Sequence, residues 1–122
     1  MSNNIHQVLA SLSQLDGFDG VALVNSESGM VLGRAGGGGK VNLDIAAAVN
    51  TEVVKAKRKA IQRLKLGDDI EDILITLDSQ YHLIRPSKLR SQLFFYLVLD
   101  RVRANLALAR MSLEEVEGEL KL

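Results

Sequence analysis

The chain contains no cysteine. Disulfides, thiol catalysis and thiolate metal sites are thereby excluded, and a reducing compartment fits. An excess of positive charge is also missing. Fifteen Lys and Arg stand against fifteen Asp and Glu, for a net charge of zero. Nucleic-acid binders usually carry a basic excess, so nucleic acid is not an expected partner. No apolar run approaches the roughly 20 residues that span a bilayer. The start, Met1-Ser2-Asn3-Asn4, lacks the basic and apolar regions of a secretory signal. The expected location is the cytoplasm, with no stable membrane insertion. Proline occurs once, at Pro86, and apart from Gly36-Gly37-Gly38-Gly39 there is no low-complexity segment.

What is present is a globular pattern. A length of 122 residues with 47% apolar and 25% charged side chains predicts one domain, residues 1–122. Ile5, Val8, Leu9, Leu12 and Leu15 recur at helical spacing, with Asn3 or Asn4 as N-cap. Val21 to Val24 is a short continuous apolar run, expected of a strand covered on both faces. Ser26-Glu27-Ser28-Gly29 reads as a turn, after which Met30-Val31-Leu32 returns as the hairpin partner. A helix from Leu43 to Leu66 follows, capped by Asn42 or Asp44 and ended by Gly67. Ile73 to Leu77, Tyr81 to Arg85 and Leu93 to Leu99 then read as three strands, the last the most apolar and the most central. Asp100 is the expected cap of a final helix, whose stripe is Val102, Leu106, Ala109, Leu113, Val116 and Leu120. Short turns between strands imply antiparallel pairing, and the element order implies an α+β layer architecture.

The long helix is anomalous. At 100° per residue, Leu43, Ala46, Ala47, Val53, Val54, Ile61 and Leu64 fall together, with Ile45, Val49, Ala56 and Ala60 beside them. They cover an arc of roughly 200°, twice the stripe of a helix docked on one core. Two apolar faces need two covering surfaces, and the second is expected to be another copy of the chain. Asn50 and Lys57 lie within the arc, one heptad apart, and are read as a seam between the chain's own sheet and the partner helix. Ala56 and Ala60 would let two helices approach closely.

Chemistry-bearing motifs are few. The glycine run before Lys40 sits where a phosphate loop would, between a strand and a helix. A Walker loop needs glycine where Arg34 stands and Ser or Thr where Val41 stands. The run is read instead as a mobile link. His6 and His82 have no second ligand at metal spacing, and no serine has a nucleophile context. Neither a metal, a cofactor nor a catalytic residue is expected. Lys55, Lys57, Arg58, Lys59, Arg63 and Lys65 make the second half of the long helix basic, a solvated face or a docking patch for an acidic partner or an anionic membrane surface. Glu114, Glu115, Glu117 and Glu119 are read as aiding solubility.

Leu93-Phe94-Phe95-Tyr96-Leu97-Val98-Leu99-Asp100-Arg101, followed by Ala104 to Arg110, resembles bacterial members of the Roadblock/dynein light chain family. Asp16-Gly17 through Val24 with the Gly29 turn, and Asp72 through Pro86, are similar to that family's two hairpins. The resemblance implies an α-β-β-α-β-β-β-α chain, with one long helix on one face of a five-stranded antiparallel sheet and two helices on the other. It implies a homodimer in which the long helices pack together and the strands beginning near Ile73 pair edge to edge. The expected interface is Ile45, Val49, Asn50, Val53, Ala56, Lys57, Ala60, Ile73 and Ile75. It further implies a non-catalytic scaffold that binds or regulates a small Ras-like GTPase. The alternative is a small-molecule sensor domain, which needs an internal polar constellation. The sequence displays none beyond Asn50.

Overall fold

The structure, a computed structural model, describes residues 3–122. Met1 and Ser2 of the expected domain lie outside the described residues. The elements are α1 (Ile5–Leu12), β1 (Phe18–Asn25), β2 (Val31–Gly36), α2 (Leu43–Arg63), β3 (Ile73–Thr76), β4 (Gln80–Pro86), β5 (Leu93–Asp100) and α3 (Leu106–Glu119). All five strands pair antiparallel in the order β2-β1-β5-β4-β3.

β5 is the middle strand, as its unbroken apolar run requires. Both its faces are covered, so each of its residues from Leu93 to Leu99 is at most 2% exposed. Alternation along the strands divides the interior in two. Val21, Leu23, Leu83, Phe95, Leu97 and Leu99 meet α1 and α3 on one face. Ala22, Val24, Ile84, Phe94, Tyr96 and Val98 meet α2 on the other. Each fully buried side chain of this size contributes about 1.5–3 kcal/mol. The expected α+β layering, with one long helix against two, is the observed one.

Several local expectations are corrected. Met30 and Leu77 lie outside the strands and are exposed, because the turns need them. Asn4 stands at the N-cap position of α1 but does not cap it. Asn3 Oδ1 takes the Ile5 amide instead. The Asn4 side chain clasps the far end of the chain, donating to Glu119 O and accepting from Lys121 N. α2 starts as expected, with Asn42 Oδ1 accepting from Ile45 N. It ends at Arg63 rather than at Gly67, leaving Leu64 exposed and Lys65 at a positive φ of 56°. The cap of α3 is Asn105, not Asp100. Asp100 closes β5 and accepts from Val102 N in the turn. Val102 therefore precedes the helix and is 91% exposed. The glycine run is only half a link. Gly36 pairs with Gly20 at a positive φ, and a Cβ on buried Gly37 would press on Leu43.

Candidate functional site

α2 buries Leu43, Ala47, Asn50, Thr51 and Val54 against the sheet. The opposite stripe faces outward. Ile45 is 63% and Val49 is 59% exposed, and Ala56 is also exposed. Val53 and Ala60 are half-buried along the same side, and Lys57 stands in solvent. One flank of α2 leans toward β2. Asp44 bonds Arg34 at 2.7 Å, Thr51 sits over Gly29, and Arg58 donates to Ser26 Oγ and Ser91 O. The Arg34 bond, made at the surface, holds the Asp44 carboxyl below its usual range. The other flank, with Ala46, Val53 and Lys57, turns toward β3.

This offset leaves part of the sheet uncovered. The α2 backbone runs nearest β1 and β2. Ile73 and Ile75 on β3 join the α2-side core only at its margin and stay half-buried. β3 is also an edge strand, with its outer backbone groups unpaired by any described strand. The exposed α2 stripe, the half-buried strip of sheet beside it and the β3 edge thus lie on one side of the molecule. Of the expected interface residues, Ile45, Val49, Val53, Ala56, Lys57, Ala60, Ile73 and Ile75 lie on or beside it. Asn50 is turned inward, 8% exposed, and donates to Ala46 O at 2.9 Å.

Sequence reasoning missed what lies on that strip of sheet. The Gln80 amide nitrogen donates to Asp19 Oδ2 and Lys40 O, which aims its carbonyl oxygen at His82 Nε2, 3.0 Å away. His82 Nδ1 lies 3.0 Å from the Tyr96 hydroxyl, with the rings edge to face. The order of donors fixes the tautomer: Nε2 carries the proton and Nδ1 accepts from Tyr96. Burial holds the imidazole below its usual pKa. It also pushes the Tyr96 phenol up to about 12, against the opposing effect of the Asn50 amide. Here is a polar constellation well beyond Asn50 alone. The signal was the alternation of β4, which puts His82 on the same face as buried Ile84.

One acid departs from its reading as a solubilising residue, and a second makes a tie across the fold. Glu117 is 5% exposed. Its Oε2 accepts from Ser87 Oγ at 2.6 Å and from the Lys88 and Leu89 amides. Its Oε1 lies 3.6 Å from Arg85 Nε, an ion pair without a hydrogen bond, and Arg85 Nε has no hydrogen-bond partner among the described residues. Asp72 accepts from both Arg110 Nε and Nη2, tying α3 to the segment before β3. Of the basic side chains on α2, Arg58 donates to Ser26 Oγ and Ser91 O and Lys55 donates to Glu27 O, while Lys59 and Arg63 stay exposed. A cleft of about 340 Å³ beside Arg58 mixes Lys88 with Asp68 and Asp69, with no convergent set of one sign. Among the described residues no three His, Asp or Glu converge as metal ligands, and no helix is long and apolar enough to cross a membrane.

No protein-family model matches the chain, and no curated protein matches it in sequence. Solved structures match it in shape. A Roadblock/LC7 domain from Streptomyces avermitilis superposes with a TM-score of 0.80 at 17% identity, covering 92% of this chain and 90% of that one. Myxococcus xanthus MglB gives 0.83 at 16% identity, covering 95% and 90%. An MglB with a tetrameric arrangement gives 0.77 at 16% identity, covering 92% and 81%. The chain has the fold of Roadblock/LC7 and MglB proteins.

Proposed function

We propose that this chain is a non-catalytic, single-domain module that forms a homodimer and binds or regulates a small Ras-like GTPase, in the cytoplasm of a bacterium. The observation that carries the reading is the outward apolar stripe of α2, with Ile45 and Val49 largely exposed, beside half-buried Ile73 and Ile75 and an open β3 edge. Isolated exposed apolar residues are ordinary, but a contiguous set on one helix calls for a partner.

Charge favours a second copy in a two-fold arrangement. The first half of α2 carries Asp44 and Glu52, and the second carries Lys55, Lys57, Lys59 and Arg63. Antiparallel helices lay the acidic half of one chain on the basic half of the other, whereas parallel helices would oppose like charges. The two β3 edges then come together, extending the sheet across the dimer. The GTPase would dock on the composite face so formed, recognised by shape. The tetrameric arrangement of one MglB is consistent with self-association on this fold. As for a small-molecule sensor, the constellation it would require is present, but Gln80, His82 and Tyr96 satisfy one another.

Light scattering on the purified chain tests the dimer. Wild type should be dimeric at micromolar concentration. Val49→Glu should remain folded, because the site is exposed, and should weaken association by at least about 100-fold, since a buried unpaired charge costs several kcal/mol. A folded wild-type monomer refutes the dimer. Pull-down with the Ras-like proteins of the same organism tests the partner. Dimers that retain none of them refute the GTPase reading and leave the dimer standing.

A further inference from the structure

We propose that the His82–Tyr96 pair makes assembly of this chain pH-sensitive, two copies holding together while His82 is neutral and separating as it gains a proton. The inference rests on the homodimer reading above, with α2 and β3 as its surface.

The geometry begins with place. His82 sits on the α2-facing side of β4, in register with Ile75 of β3 and Val98 of β5. It is half-buried in the single chain, because α2 is displaced toward β2. A second α2 laid along this half-buried strip of sheet covers what remains. Asp19 and Lys40 hold Gln80 so that its oxygen receives Nε2–H, and the Tyr96 hydroxyl donates to Nδ1. Each hydrogen bond suits the neutral ring. A second proton on Nδ1 turns that donor against the Tyr96 O–H, which must then rotate away.

No carboxylate bonds the ring directly. On β3 the neighbour is Ile75, and on β5 it is Tyr96, whose burial keeps it protonated. α2 presents neutral Asn50 and, two turns on, the cation Lys57. Two acids stand further off: Asp19 of β1 is bonded to Gln80 rather than to the ring, and Asp100 of β5, paired with Gln80 in the register, accepts from Val102 N. The stripe that a second copy brings is bordered by Glu52, Lys57 and Arg63, more positive than negative. Covering an imidazolium here costs burial without a directly paired counter-ion. A ring already held below its usual pKa in the single chain falls further in the dimer.

The sign follows from linkage. The separated chains bind protons more readily than the dimer, so acid favours separation. Two His82 rings per dimer allow the dimer Kd to rise by up to about 100-fold per pH unit within the window between the two pKa values.

Sedimentation of the full chain at fixed ionic strength, from pH 7.5 to 5.5, tests this. Wild-type Kd should rise by at least about tenfold over that range. His82→Gln should flatten the profile, and His6→Asn, on the exposed surface of α1, should leave it unchanged. Circular dichroism at each pH confirms that the chains remain folded. Should His82→Gln fail to fold, NMR titration of the wild-type His82 ring decides, its pKa being lower in the concentrated dimer than in the diluted monomer. A dimer whose Kd ignores pH, or a pH response that survives His82→Gln, overturns the switch alone. A chain monomeric at every pH overturns the dimer and the switch together.

Discussion

Glu117 shows how much one residue can organise. It belongs to a run of acids on α3, yet it alone points inward and gathers the 87–89 loop around one carboxylate oxygen. Burial works to raise its pKa. The Ser87 hydroxyl, the Lys88 and Leu89 amides and then Arg85 outweigh that, and the folded carboxyl sits below its usual range. The unfolded chain therefore takes up the proton first as pH falls. The stabilisation is present above the ordinary value of 4.5 and is lost as pH drops through the folded pKa. Urea midpoints measured from pH 7 to pH 3 should fall for wild type and fall less steeply for Glu117→Gln. At neutral pH Glu117→Ala should cost about 3–5 kcal/mol, because Arg85 is left buried and unpaired. Chemical denaturation at pH 7 measures it. A loss under about 1 kcal/mol would mean that the pair is solvated and only locally useful. The inward position of Glu117, directly after Val116 of the stripe, hinted at this. Its partner Ser87 is 30 residues away in sequence, so nothing local could supply it.

At the scale of elements, helix ends and close approaches matter most. α2 and α3 begin alike, with Asn42 and Asn105 each accepting the amide three residues on. Asn105→Ala should lower stability by about 1 kcal/mol. Thermal melts would register it as a shift of a few degrees, and an unchanged melt would show that the cap is replaced by solvent. α1 is held by an absence of side chain. A Cβ on Gly33 of β2 would strike Ile5 Cγ2 and press on Leu9 Cδ1. Gly33→Val should push α1 off the sheet and cost roughly 1–3 kcal/mol, whereas Gly39→Ala, which meets open space, should be nearly neutral. Comparative denaturation of the two variants checks the contrast. The strand pattern and the two apolar sides of α2 were legible because each is a local periodicity. The cap of α3 was misread because Val102 fits the spacing of the stripe while the chain is still turning.

The whole molecule is asymmetric about its sheet. α1 and α3 share one face, while α2 alone serves the other and lies toward β2. The uncovered portion coincides with the open β3 edge, so one surface offers both apolar area and unpaired backbone. Hydrogen exchange provides a test at this scale. In the wild-type assembly the β3 amides that point away from β4 should be protected. In Val49→Glu they should exchange faster, by about tenfold or more, while β5 amides remain slow. Equal exchange of β3 in both would place the dimer contact on α2 without the strand edge.

By itself the sequence determined the element order, the central place of β5 and the double-sided character of α2. These follow from periodicity, which each segment carries within its own dozen residues. Tertiary structure alone decided which side of α2 meets the sheet, how far the helix is displaced, and which polar residues meet. Asp19 and Gln80 are 61 positions apart, and only the pairing of β1 and β4 on either side of β5 brings them together. Such meetings depend on strand order and register, which no local pattern encodes.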